Sequence, residues 1–187
     1  MVKFISLGIG CAIASGLRKT NNACESLPFD WSYTSSMTCV CQMLETNFAG
    51  LFVKTHWKIS EIQSDLKHDE NQRCENTFYP GLYSVHEFKK NLTFDENFQQ
   101  YDAKMTRRTQ RLMNFITSHQ STDEHLCFIR DEQHFNIKEK YQSLENFIES
   151  VNKFERILKE INPNLKYKLV LIIECDTDIK PKQFSES

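Results

Sequence analysis

Phe4-Ile5-Ser6-Leu7-Gly8-Ile9-Gly10-Cys11 opens the chain, and Ala12-Ile13-Ala14 through Leu17-Arg18-Lys19 follows it directly. The first four residues form a short apolar run that ends in glycine, the pattern of a buried strand. Two glycines let the backbone turn tightly. The segment from Cys11 then reads as a helix with its basic pair at the C-terminal end, where the helix dipole favours it. Strand, tight turn and helix make the first half of a strand–helix–strand unit.

The rest of the chain repeats the alternation. Met37, Val40, Leu44, Phe48 and Leu51 recur every three or four residues and predict an amphipathic helix, with Ser35 or Ser36 as its cap. Residues 60–78 are polar and without period and read as a loop. Leu82-Tyr83-Ser84-Val85-His86 follows Pro80-Gly81 as a second strand. Tyr101, Met105, Leu112 and Ile116 predict a helix; Leu126-Cys127-Phe128-Ile129-Arg130 a third strand. Tyr141, Leu144, Ile148, Val151, Phe154, Leu158 and Ile161 predict the longest helix, closed by Pro163, and Lys168 to Glu174 the last strand. This order predicts an α/β fold: a three-layer sandwich with a mostly parallel sheet of about four strands flanked by helices. One domain is expected over residues 1–175, with residues 176–187 as a C-terminal tail.

Composition narrows the function. A net charge of −2 gives no basic coat for general nucleic-acid binding. No apolar run approaches the roughly 20 residues of a membrane span, and the start lacks a signal-peptide core. A soluble, cytoplasmic protein is expected. The seven cysteines are an odd number, scattered and without C-x-x-C spacing, so neither a disulfide framework nor a metal site is predicted. Gly8-Ile9-Gly10 has Ile13 where a dinucleotide loop needs a third small residue, and no cofactor is expected.

Candidate chemistry gathers at strand ends. Ligand sites in open α/β sheets lie beyond the carboxyl ends of the strands, which places residues 8–11, 86–88, 130–132 and 174–176 on one rim. Cys11 falls at the start of a helix, where unpaired N–H groups and the positive dipole end stabilise a thiolate and can bind an oxyanion, with Gly8 and Gly10 shaping the turn. His86 is the best placed base. Asp30 is a candidate to orient the imidazole or, equally, to fix its own loop; Glu87, Asp131 and Glu174 are further acids. Lys104, Arg107, Arg108 and Arg111 fall on one helix face. They either pair with carboxylates elsewhere or meet an anionic ligand or partner. Arg107, Arg111 and Arg130 are the anion contacts expected of the second reading. The function expected is a thiol hydrolase acting on a peptide or acyl substrate. The alternative is a non-catalytic binding protein whose basic face and rim hold a protein partner, a host factor if the chain is viral.

Several segments, Leu17-Arg18 among them, carry a resemblance. Ile5-Ser6-Leu7-Gly8-Ile9-Gly10-Cys11 and Ser26-Leu27-Pro28-Phe29-Asp30-Trp31 resemble the "SLG..C" and "PFDW" segments of an uncharacterised papain-like cysteine peptidase family of bacteria and large DNA viruses. Val85-His86-Glu87-Phe88, Arg107 to Leu112 and Leu126 to Arg130 are similar to its later segments. The resemblance implies Cys11 as nucleophile and His86 as base. It also implies an α+β papain-like fold, the alternative to the sandwich that alternation predicts.

Overall fold

The computed structural model describes residues 2–9, 11–20, 25–61, 70–118, 125–132, 141 and 143–173. The fold is mixed α/β, with a three-stranded parallel sheet, a four-stranded antiparallel sheet and, among the described residues, four α-helices. The parallel sheet has the order β1 (Val2–Ser6), β6 (His125–Asp131), β7 (Tyr167–Ile172). Its centre, β6, carries the continuous apolar run expected of a strand covered on both faces: Leu126, Cys127 and Phe128 are all buried.

The helices bury the periodic residues read above in one shared core. In α2 (Met37–Glu45) the side chains of Met37, Val40 and Leu44 are buried, and the Ser36 hydroxyl accepts from Cys39 N, capping the helix. In α3 (Phe94–Thr117) Tyr101, Met105, Leu112 and Ile116 face inward. This helix starts earlier than its apolar stripe, because Thr93 and Glu96 form a capping box. In α4 (Leu144–Ile161) Phe147, Val151, Phe154 and Leu158 are buried, and the Phe154 ring meets Phe128 of β6 edge-on at 5.4 Å. Deleting a ring in such a place costs about 3–5 kcal/mol.

The strand predicted at residues 82–86 corrects in two ways. It is shorter, β5 (Leu82–Ser84), and it lies in the antiparallel sheet, whose order is β2 (Ser32–Thr34), β5, β4 (Cys74–Asn76), β3 (Trp57–Ile59). Among the described residues the parallel sheet therefore has three strands where about four were expected, and residues 86–88 do not extend one of its ends. The physical reason is the short Thr77–Gly81 connection from β4: it closes a hairpin, whereas a parallel neighbour needs a long crossover. Residues 60–78, read as loop, contain β4. The second sheet packs on α3 through Trp57 of β3, whose ring is 4.8 Å from Tyr101, and Phe88, beyond β5, adds a ring at 5.3 Å.

Candidate active site

The turn that delivers Cys11 is one of two places in the described chain where successive residues have positive φ, the other being Asn47–Phe48. Leu7 N still donates to Ile129 O at 2.9 Å, so β1 stays paired up to the turn. Gly8 then has φ +89° and Ile9 φ +74°, two left-handed residues in succession. Gly8 is buried, and a Cβ there would collide with Thr34 Oγ1. Gly10 lies outside the described residues. Cys11 is the N-cap of α1 (Ala12–Lys19): its carbonyl accepts the first helical bond, from Ser15 N at 2.8 Å. The N–H groups of Ala12, Ile13 and Ala14 stand ahead of that bond and have no acceptor within the helix.

The thiols separate into two kinds. Cys11 is half-buried, whereas Cys39, Cys41, Cys74 and Cys127 are buried. Burial pushes the thiols of Cys39, Cys41 and Cys74 up to about 12, and that of Cys127 upward. Those four are un-ionised near neutrality and poor nucleophiles. Cys24 and Cys175 lie outside the described residues.

Asp30 fixes its own loop. Its Oδ2 accepts from Leu27 N at 3.0 Å while Asp30 N donates to Leu27 O at 3.3 Å, and Ser32 Oγ donates to Pro28 O at 2.9 Å. Arg18 of α1 reaches the same place: its guanidinium stands 3.8 Å from Asp30 Oδ2, donates to Ser26 Oγ and lies 4.7 Å from the centre of the Trp31 ring. Burial holds the Asp30 carboxyl above its usual range, partly offset by the Leu27 N–H and the charges of Arg18, Arg108 and Arg111. His86 is exposed and meets Trp31 edge-on at 5.9 Å. The structure thus brings Asp30, Trp31, His86 and Arg18 together. Among the described residues, no hydrogen bond joins His86 to Cys11 or to Asp30. Arg18 is in the last turn of α1, seven positions on from Cys11, or about 10 Å along the axis.

Beside His86, Glu87 collects two cations of the α3 stripe. Lys104 Nζ donates to Oε2 at 2.8 Å and Arg108 Nη1 to Oε1 at 2.7 Å. Burial by itself would raise this carboxyl, but the two donors and their charges outweigh it and hold Glu87 below the usual range. Arg111 donates to the Ser26 carbonyl and pairs with Glu25. Arg107 is exposed and makes no ion pair with a described residue. Three of the four stripe cations are therefore engaged within the molecule.

Arg130 is fully buried and turned inward, paired with Glu132 at 2.8 Å. The anion it meets is internal. Asp131 is at the end of β6; Glu174 lies outside the described residues. Arg130 donates to Leu7, Thr34 and Glu132, and Tyr141 joins them through Glu132; the long-range members of this group carry no local signal. Thr34 and Arg130 are 96 positions apart and meet only in the fold.

With this geometry in view, the wider relationships are informative. The chain belongs to the family described as "Putative papain-like cysteine peptidase", whose profile matches residues 2–177. It is 28% identical over 140 residues to an uncharacterized protein of Acanthamoeba polyphaga mimivirus, a match covering 69% of this chain and 61% of that protein, under two thirds of its length. No solved structure matches. No helix among the described residues is long and apolar enough to cross a membrane.

Proposed function

We propose that the chain is a cysteine hydrolase in which Cys11 attacks a peptide or acyl carbonyl and His86 carries the proton. The observation that supports this reading is the place of Cys11, a half-buried residue at the N-cap position of a helix, directly after a strained strand-end turn. The family's peptidase character agrees with it. In the reaction, Cys11 gives its thiol proton to His86 as its Sγ bonds to the carbonyl carbon, and the π pair moves to oxygen, which accepts from the N–H groups at the start of α1 that have no acceptor within the helix. Collapse breaks the bond to the leaving amine or alcohol, which takes a proton from His86. Water, giving a proton back to His86, then hydrolyses the thioester and frees the thiol. The described contact on the imidazole is the Trp31 ring rather than a carboxylate. We assign Asp30 to holding the Pro28–Trp31 loop on α1.

Iodoacetamide labelling, resolved by peptide, tests this at about pH 6 and about pH 8.5, below and at the ordinary thiol range. Cys11 is expected to react at the lower pH far faster than the same cysteine in the urea-unfolded chain. Equal rates there would remove the activated nucleophile.

The second reading, a binding protein without catalysis, draws on the exposed Arg107 and on the lack of a Cys11–His86 hydrogen bond. It predicts that Arg107→Glu abolishes capture of an anionic partner while Cys11→Ala has no effect on it.

A further inference from the structure

The turn before Cys11 is held from behind by a buried polar network. Arg130 Nη1 donates to Leu7 O at 2.8 Å and to Thr34 Oγ1, and Nη2 donates to Thr34 O at 2.9 Å. Its Nε donates to Glu132 Oε1 at 2.8 Å. Thr34 Oγ1 in turn donates to Leu7 O at 3.1 Å. The Tyr141 hydroxyl donates to Glu132 Oε1 at 2.9 Å and accepts from Met37 N at 2.6 Å. One network thereby ties the ends of β1, β2 and β6 to the start of α2.

Such a network is costly. Two charges removed from water lose several kcal/mol of solvation, and well-packed apolar side chains of the same volume often serve stability better. Its return is geometric. The Leu7 carbonyl is clamped by two donors, and Thr34 occupies the space a Gly8 side chain would need. The next residue, Ile9, is β-branched at φ +74°. That conformation costs about 1–3 kcal/mol and persists where the surroundings over-determine it.

We propose that the buried Arg130–Glu132 pair, acting through Thr34, is the positioning device for Cys11: it holds the Gly8–Ile9 turn in its strained form and so fixes the thiol at the head of α1. Arg130 is then a positioning residue and not a contact for substrate anions. This inference rests on the reading of Cys11 as the nucleophile.

The test compares Thr34→Val, which removes the hydroxyl at nearly constant volume, with Thr34→Ser, which keeps it. The readout is the ratio of Cys11 alkylation at about pH 6 to that at about pH 8.5, beside circular dichroism to confirm folding. Thr34→Val is expected to lower the ratio several-fold, and Thr34→Ser to restore it to within about twofold. Ile9→Gly relaxes the turn without touching any of these hydrogen bonds and is expected to lower the ratio too. It carries the test if Thr34→Val does not fold. An activated wild type whose ratio is unchanged in the folded variants overturns the positioning role alone. A wild type with the ratio of the urea-unfolded chain overturns the nucleophile and, with it, this inference.

Discussion

The two arginine–carboxylate clusters have similar chemistry and opposite settings. The inner one, Arg130 with Glu132, has both side chains at 0% exposure, and its hydrogen bonds run to Leu7 at the end of β1 and to Thr34 of β2. The outer one, Glu87 with Lys104 and Arg108, has a carboxylate at 8% exposure but cations at 38% and 14%. Water and salt reach the second and not the first. The inner cluster therefore sets geometry, while the outer one is open to titration, beside His86 and Asp30. A guanidinium near a strand end says nothing about ligands until its depth is known.

Arg130→Met should show the largest effect. It leaves Glu132 buried without its cation and is expected to cost about 3–5 kcal/mol in urea unfolding. A loss below about 1 kcal/mol would erase the contrast between the clusters. Glu87→Gln should cost less, about 1.5–3 kcal/mol near neutrality, the range for hydrogen bonds to a charged group. Its pH dependence has a definite sign. Glu87 is held below its ordinary value of 4.5, so its contribution is full above that value and is lost as pH falls through the lower folded value. The unfolding curves of wild type and Glu87→Gln are expected to converge in acid. Asp30→Asn should show the smallest effect and the reverse trend. Burial holds Asp30 above its ordinary 3.8, so its favourable term is full below 3.8 and is lost as pH rises through the folded value. The variant is expected to equal or exceed wild type near neutrality, by less than about 1 kcal/mol. If Asp30→Asn instead costs more than Glu87→Gln, thermal unfolding across pH will have exposed a stronger partner for Asp30 than Leu27 N and Arg18.

The long periodic segments were legible in the sequence because one rule governs each. The apolar stripes of α2, α3 and α4 and the runs of β1, β6 and β7 follow from burial of one face or both. The three-residue strands β2, β3 and β4 were not legible, since so short a stretch cannot display alternation. Nor did Leu82–Ser84 announce its direction, which the hairpin from β4 decides. In the site, Cys11 at a strand-to-helix turn and the self-closing Asp30 loop could be read from neighbours in the chain. The Thr34–Arg130 clamp and the sinking of two stripe cations into Glu87 could not, because those partners meet only through tertiary packing.

The most direct test of the nucleophile is acyl transfer itself. Native protein mixed with p-nitrophenyl acetate should release nitrophenolate and gain one acetyl group, mapped by peptide mass spectrometry to Cys11. His86→Ala should slow both formation and loss of that thioester by about a hundredfold or more, the contribution of a positioned general acid–base. Acetyl found on lysines alone, or on Cys11 no faster than in the urea-unfolded chain, would contradict the account.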